Sequence, residues 1–304
     1  MISERIITTS YSASQVTPCG WQAANLRLQA DGLLGNLDRI LPEVKESRWL
    51  GGNSGDYDSL PLWLSGFVPT AWLISDIEMQ ERAELYIKKL LENNKNGFIP
   101  KGKNEKFDIA SLFVLLNALC DYAEASGNGE VDGYILAALK ELDVYTDTHV
   151  LSEKASLCWA DALRPIARET EKTEDRSLRR LAKKLACMGF DWLGFFDGWD
   201  YAHVAASDLP ASFLTDIHNN IQAVKTAAAL ADFYGDESYV DRAFEMIYTL
   251  ERFHGSAIGM ITGDSRLGGK SASRGLDTDA LCEYMSALAA LLKTSGSVAI
   301  ADRL

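Results

Sequence analysis

Apolar residues recurring every three to four positions are the strongest constraint on this chain. Leu281, Met285, Leu288 and Leu292 fall at intervals of four, three and four, which lays them in one stripe along an α-helix. Val240, Phe244, Ile247 and Leu250 repeat the pattern, as do Ile217, Ile221, Val224 and Ala228. The same reading marks helices over 62–75, 78–93, 108–126, 133–143, 155–170 and 175–193. The breakers between them are short: Asn93-Asn94-Lys95-Asn96-Gly97, Ser126-Gly127-Asn128-Gly129, Gly235-Asp236 and His254-Gly255. Strand signals are confined to the first dozen residues and to Gly259-Met260-Ile261-Thr262.

Roughly nine or ten helices joined by short loops predict an all-α fold of antiparallel helix pairs, as a toroid or a solenoid. A solenoid repeats every 34 to 47 residues or so. Here the recurrence is loose, with Tyr234-Gly235-Asp236 resembling Glu124-Ala125-Ser126-Gly127-Asn128 only in outline. A closed α/α toroid is therefore the preferred expectation. No Pro- or Ser-rich linker divides the chain, so 1–304 reads as one domain. The final Ala299-Ile300-Ala301-Asp302-Arg303-Leu304 stops without a cap, as if a helix were cut short.

With 30 Lys+Arg against 43 Asp+Glu, the net charge is -13, which argues against nucleic acid and against an anionic membrane as partners. A neutral sugar suits such a field better. Cys19, Cys120, Cys158, Cys187 and Cys282 are odd in number, far apart and without a CxxC pair, the pattern of reduced thiols. The polar Thr8-Thr9-Ser10 after Ile6-Ile7 does not make a signal peptide, and no run is read as approaching the roughly 18 apolar residues of a spanning helix. These features predict a cytoplasmic protein. They leave a homo-oligomer open.

Two aromatic and acidic loops stand out. Trp49-Leu50-Gly51-Gly52-Asn53-Ser54-Gly55-Asp56-Tyr57-Asp58 is either a carbohydrate site, with rings to stack on sugar and carboxylates to accept hydroxyls, or an Asx turn over a hydrophobic plug. Asp191–Tyr201 is either cleft lining or packing. Asp216 either caps the helix that follows or joins His218 and Asn219 at a ligand. Asp277 and Asp279 hold a divalent metal or complement the dipole of the last helix, the second being the simpler role. Asp264 is either a general acid or a turn residue. GxSxG, P-loop and Rossmann fingerprints are absent.

The order of the segments adds a further expectation. Pro18-Cys19-Gly20-Trp21, Leu28-Gln29-Ala30-Asp31-Gly32-Leu33 and Gly35-Asn36-Leu37-Asp38 precede Trp49-Leu50-Gly51-Gly52 and the run Pro61–Leu73. Together they resemble the N-terminal half of the β-L-arabinofuranosidase family, glycoside hydrolase family 127. The likeness resumes at Asn219 with Lys225, Tyr234-Gly235-Asp236, His254-Gly255, Gly259–Asp264 and Glu283-Tyr284-Met285.

The resemblance implies an (α/α)6 barrel, truncated here at its C-terminus, with β-sandwich modules and the family's cysteine pair beyond Leu304. It implies a glycoside hydrolase acting on L-arabinofuranoside-type or related plant glycans, with a zinc-bound cysteine nucleophile and a glutamate acid/base. This chain departs from that pattern. Asp277 and Asp279 stand where the family has Glu-x-Cys, so that Zn2+ gives way to another divalent metal or none. Asp264 is the carboxylate nearest the acid/base position, Tyr57-Asp58-Ser59 replaces Trp-Glu-Arg, and Asp216 replaces a His. Expected roles are Asp264 in catalysis, Asp277 and Asp279 at the metal, and Asp56, Tyr57, Asp58, Asp216, His218 and Asn219 on the sugar. The balance leans towards an enzyme, with a non-catalytic sugar-binding barrel or a helical interaction scaffold as alternatives.

Overall fold

The computed structural model describes residues 10–53, 56–100, 107–203 and 212–304. Among them the chain is all-α: no β-strand forms, and the Gly259–Thr262 signal resolves into isolated antiparallel bridges, Gly255 with Ile261 and Gly263 with Leu267. The first nine residues, where the other strand signal falls, lie outside the described set, as do Ser54 and Gly55 of the Trp49–Asp58 loop.

Contacts gather into two compact units, one over Tyr11–Met188 and one built on Gly189–Leu304, although no linker composition marks their junction. The N-terminal unit contains α1 (Gly20–Asp31), α2 (Leu33–Ile40), α3 (Pro42–Lys45), α4 (Ser59–Leu73), α5 (Ile77–Asn93), α6 (Ile109–Ser126), α7 (Glu130–Tyr145), α8 (Glu153–Leu157), α9 (Leu163–Thr173) and α10 (Arg176–Met188). The C-terminal unit contains α11 (Trp192–Asp197), α12 (Ile217–Tyr234), α13 (Ser238–His254), α14 (Thr278–Ser295) and α15 (Val298–Arg303).

One plan recurs inside each unit. In the N-terminal unit α4 and α6 pack side by side and run parallel. Ser111 at the start of α6 donates to Asp58 at the head of α4, and the Trp72 and Tyr122 rings meet 5.8 Å apart near the far ends. α5, which joins them in the chain, returns antiparallel to α4, its Tyr86 against Trp63 at 4.9 Å. The sequence explains the division of labour. α4 and α6 are mostly apolar and bury 8 of 15 and 13 of 18 residues, whereas α5 buries one stripe, Met79, Ala83, Ile87 and Leu90. Asp76 caps α5 by accepting from the Met79 N–H at 3.1 Å.

In the C-terminal unit α12 and α14 are the parallel pair. Lys225 meets Glu283 at 2.8 Å in their first halves, and Lys293 meets Asp232 at 2.7 Å in their last. α13 lies antiparallel, its Glu251 reached by the Tyr284 hydroxyl of α14 at 3.3 Å. Gly127 and Gly235 end α6 and α12 in the left-handed region, at φ 72° and 65°, where a side chain is disfavoured.

Three sequence expectations differ from the structure. α1 and α2 were not foreseen, because α1 turns only Ala30 into the core and leaves Trp21 and Leu28 exposed, so it carries no apolar stripe. The 155–170 helix is broken into α8, a 3-10 turn over Trp159–Ala162, and α9. Pro165 supplies no N–H and is accommodated only in the opening turn of α9, and the Asp161 carbonyl is taken by Asn117 Nδ2 at 2.7 Å. Finally, α6 is long and apolar enough to cross a membrane by length and composition, and 72% of it is buried inside the protein.

Candidate functional site

The candidate residues of each unit sit at the N-terminal ends of its parallel helices. In the N-terminal unit, Asp56 forms the turn that starts α4. Its Oδ1 accepts from the N–H groups of Asp58 (3.1 Å) and Ser59 (2.9 Å), and its Oδ2 from the Ser59 hydroxyl (3.1 Å). Tyr57 is buried, edge-on to Trp49 and Phe107 at 5.1 Å each, and its carbonyl accepts the Trp49 indole N–H at 2.7 Å. Asx turn and hydrophobic plug are therefore both present. Asp58 differs from its neighbours: its carboxylate is 44% exposed, accepts the buried Ser111 hydroxyl and meets Lys154 Nζ at 3.2 Å.

In the C-terminal unit, Asp216 caps α12, its Oδ1 accepting the Asn219 N–H at 3.0 Å. Burial pushes its carboxyl above the usual range. The Asn219 N–H and the neighbouring His218 oppose that rise, and the charge of Asp277 adds to it. Asn219 Nδ2 donates to the Phe213 carbonyl at 3.1 Å, closing the loop ahead of the helix. His218 Nε2 stands 3.8 Å from Glu283 on α14.

Asp277 caps α14. One oxygen accepts from the N–H of Asp279 (2.9 Å) and of Ala280 (3.4 Å), and the other accepts the Ser265 N–H at 3.1 Å. That last bond ties the turn carrying Asp264 to the head of the helix, and Ser265 adopts a left-handed φ of 65° to make it. Asp264, Ser265, Arg274, Asp277, Thr278 and Asp279 thus line one open concavity of about 420 Å³. The concavity is wide open to solvent rather than an enclosed pocket.

A zinc site needs about four ligands, usually nitrogen or sulfur. Asp277 already accepts three backbone N–H groups, and Asp279 adds only hard oxygens. No group of three or more His, Cys, Asp or Glu side chains converges among the described residues. Asp277 and Asp279 bring only carboxylate oxygens to this concavity, a set that suits a harder divalent cation better than zinc. Asp277→Ala is expected to cost about 1–2 kcal/mol by removing the cap, read as a lower thermal midpoint with no metal added. Unchanged stability would show that its cap and the Ser265 tie contribute nothing.

The residues that contact or support the candidate residues without an expected role are His254, Lys225 and Glu283. His254, at the end of α13, is buried and anchors the loop that presents Asp264. Its carbonyl accepts the Thr262 N–H at 2.7 Å, and its Nδ1 accepts the Gly269 N–H at 2.9 Å. The Leu267 N–H then donates to the Thr215 carbonyl at 2.9 Å, joining that loop to the head of α12. His254-Gly255 read as a breaker, and nothing local marks such an anchor. No family model matches the chain, and no curated protein matches it.

Proposed function

We propose that this chain acts on glycosides, as a hydrolase of L-arabinofuranoside-type glycans built on an (α/α)6 toroid. The observation that carries the reading is the set of carboxyls at the heads of α12 and α14: Asp264, Asp277 and Asp279 around one concavity, with Asp216 beside them. Glycoside hydrolysis works through a carboxylic acid that keeps its proton and a second carboxylate that stays ionised. Asp264, exposed on the concavity, is the candidate acid/base, and Asp216, whose carboxyl burial pushes upward, stands beside it on the sugar side. The alternation of a buried helix with an amphipathic return helix, seen once in each unit, supports the toroid.

The test is turnover of nitrophenyl L-arabinofuranosides of both anomers. Asp264→Asn and Asp216→Asn are each expected to lower kcat/KM by about 100-fold or more. A second reading, sugar binding without catalysis, is favoured by the full engagement of Asp277 as a cap. It is distinguished by a sugar-dependent rise in thermal midpoint with no turnover. Neither turnover nor a midpoint shift with any pentose or hexose glycoside overturns both.

A further inference from the structure

The link between α6 and α7, Gly127-Asn128-Gly129, takes no part in the glycoside reading. It contains one of the two Asn-Gly pairs of the chain, the other being Asn96-Gly97. An asparagine before glycine is prone to attack on its own side-chain amide by the next backbone nitrogen, because glycine has no Cβ to hinder the approach. The sequence gives both pairs the same chemistry. The structure separates them.

The attack needs a nitrogen free to turn, an amide carbonyl able to take negative charge, and water. At Asn128 all three are met. The Gly129 N–H has no acceptor among the described residues, and the place its Cβ would take is open space. Asn128 Oδ1 accepts the Glu130 N–H at 3.0 Å, a bond that stabilises the oxyanion formed as Cγ becomes tetrahedral. Gly129 and Glu130 are both exposed to water. At Asn96 the nitrogen is tied instead. The Gly97 N–H donates to the Asn94 carbonyl at 3.0 Å. The Glu141 carboxylate then clamps the next two residues, accepting the Phe98 N–H at 2.6 Å and the Ile99 N–H at 3.1 Å. Turning the Gly97 nitrogen towards the Asn96 amide would break these bonds.

We propose that Asn128 is a deamidation site of this chain, closing to a succinimide with Gly129, and that the fold protects Asn96 beside the same kind of neighbour. The Gly129 nitrogen gives up its proton and bonds to Asn128 Cγ, the Cγ–Nδ2 bond breaks, and the amide leaves as ammonia with that proton. Water then opens the ring at either carbonyl to aspartate or isoaspartate, with no change of oxidation state. Aspartate keeps an oxygen for the Glu130 N–H and adds a negative charge ahead of α7, where the helix dipole favours it. Isoaspartate runs the main chain through its Cβ and so lengthens the link between α6 and α7 by one carbon.

The experiment incubates the full folded chain at pH 7.5 and 9 and follows both sites by peptide mass, which records the change from amide to acid. Product at Asn128 is expected to build up several-fold faster than at Asn96, and faster at the higher pH because the attacking nitrogen must lose its proton. In urea the two sites should approach one rate. Gly129→Ala places its methyl in open space and keeps the fold, and it should slow Asn128 several-fold while leaving Asn96 unchanged. An Asn128 that stays intact, or reacts no faster than Asn96 in the folded chain, overturns the proposal. So does a preference that persists undiminished in urea, because it then comes from the neighbouring sequence and not from the fold. An unchanged Asn128 rate in Gly129→Ala overturns the succinimide route.

Discussion

Replacing Trp49 with Ala is expected to remove about 3–5 kcal/mol of stability, lowering the thermal midpoint of the N-terminal unit by about 10 °C or more. Trp49 is fully buried, and its indole packs against Tyr57, Phe98 and Phe107 with centroids 5.1, 6.4 and 6.1 Å away. The residue also joins three segments through hydrogen bonds. Its Nε1–H donates to the Tyr57 carbonyl, and its own carbonyl accepts the side-chain amides of Asn93 (3.2 Å) and Asn94 (2.8 Å) at the end of α5. Truncation leaves a cavity and, at the Tyr57 carbonyl, one unpaired group, which is why the cost sits in the range for a core aromatic. Trp49→Phe refills most of the volume and loses only the indole bond, so about 1–2 kcal/mol is expected. Trp21→Ala, at a ring 73% exposed, should stay within about 0.5 kcal/mol of the wild type. Urea unfolding of the three variants checks the order. Amide exchange faster at 56–59 than at α6 would place the loosening at the Asp56–Asp58 turn, and a Trp49→Ala protein within about 1 kcal/mol of wild type would overturn the plug.

Helices with one face on a core were the legible part of this chain. The stripes Ile217–Ala228, Val240–Leu250 and Leu281–Leu292 each lie within one helix, because burial on one side forces the 3.6-residue period into the sequence. α1 escaped that logic, having a single buried residue and hence no period to read. Asp216 was legible as a cap, since an acidic residue ahead of an apolar period is a local signal and the bond it makes is local too, whereas Asp277 was read only as a complement to the helix dipole or a metal ligand. What joins Glu283 to Lys225 is not local. Their meeting depends on α12 and α14 being parallel and in register, with a third helix and the 255–277 loop between them in the chain, and no spacing within either helix records that. The same holds for Asp58 with Ser111 and Lys154, brought together across 53 and 96 residues. The candidate residues could therefore be named from sequence, while the partners that decide their charge could not.

His254 shows what such a hidden partner does to stability, and it carries the second large prediction. Burial pushes its imidazole from an ordinary 6.5 down to about 4, with the Tyr201 backbone working the other way. The folded ring is thus neutral at pH 7, as it must be for Nδ1 to accept the Gly269 N–H. Between about pH 6.5 and 4 the unfolded chain binds a proton that the folded chain refuses, so stability rises with pH across that window. The contribution is fully present above 6.5, is lost progressively as pH falls, and stops changing below about 4, where the folded ring is protonated as well. A shift of this size corresponds to about 3 kcal/mol. Urea unfolding at pH 7.5, 6 and 4.5 should show the loss in the wild type, on top of whatever the carboxylates contribute. His254→Asn isolates it: the amide oxygen can still accept from Gly269, the ring contact with Trp199 at 6.2 Å is lost, and nothing titrates. The variant should be less stable at pH 7.5 yet lose about 3 kcal/mol less than the wild type on going to pH 4.5, so that the two curves converge. Parallel curves would mean that His254 titrates normally and does not hold the loop as a neutral acceptor. Convergence would also locate the first acid-sensitive element next to the site, because the bonds from His254 to Thr262 and Gly269 are the ones that present Asp264 to the concavity.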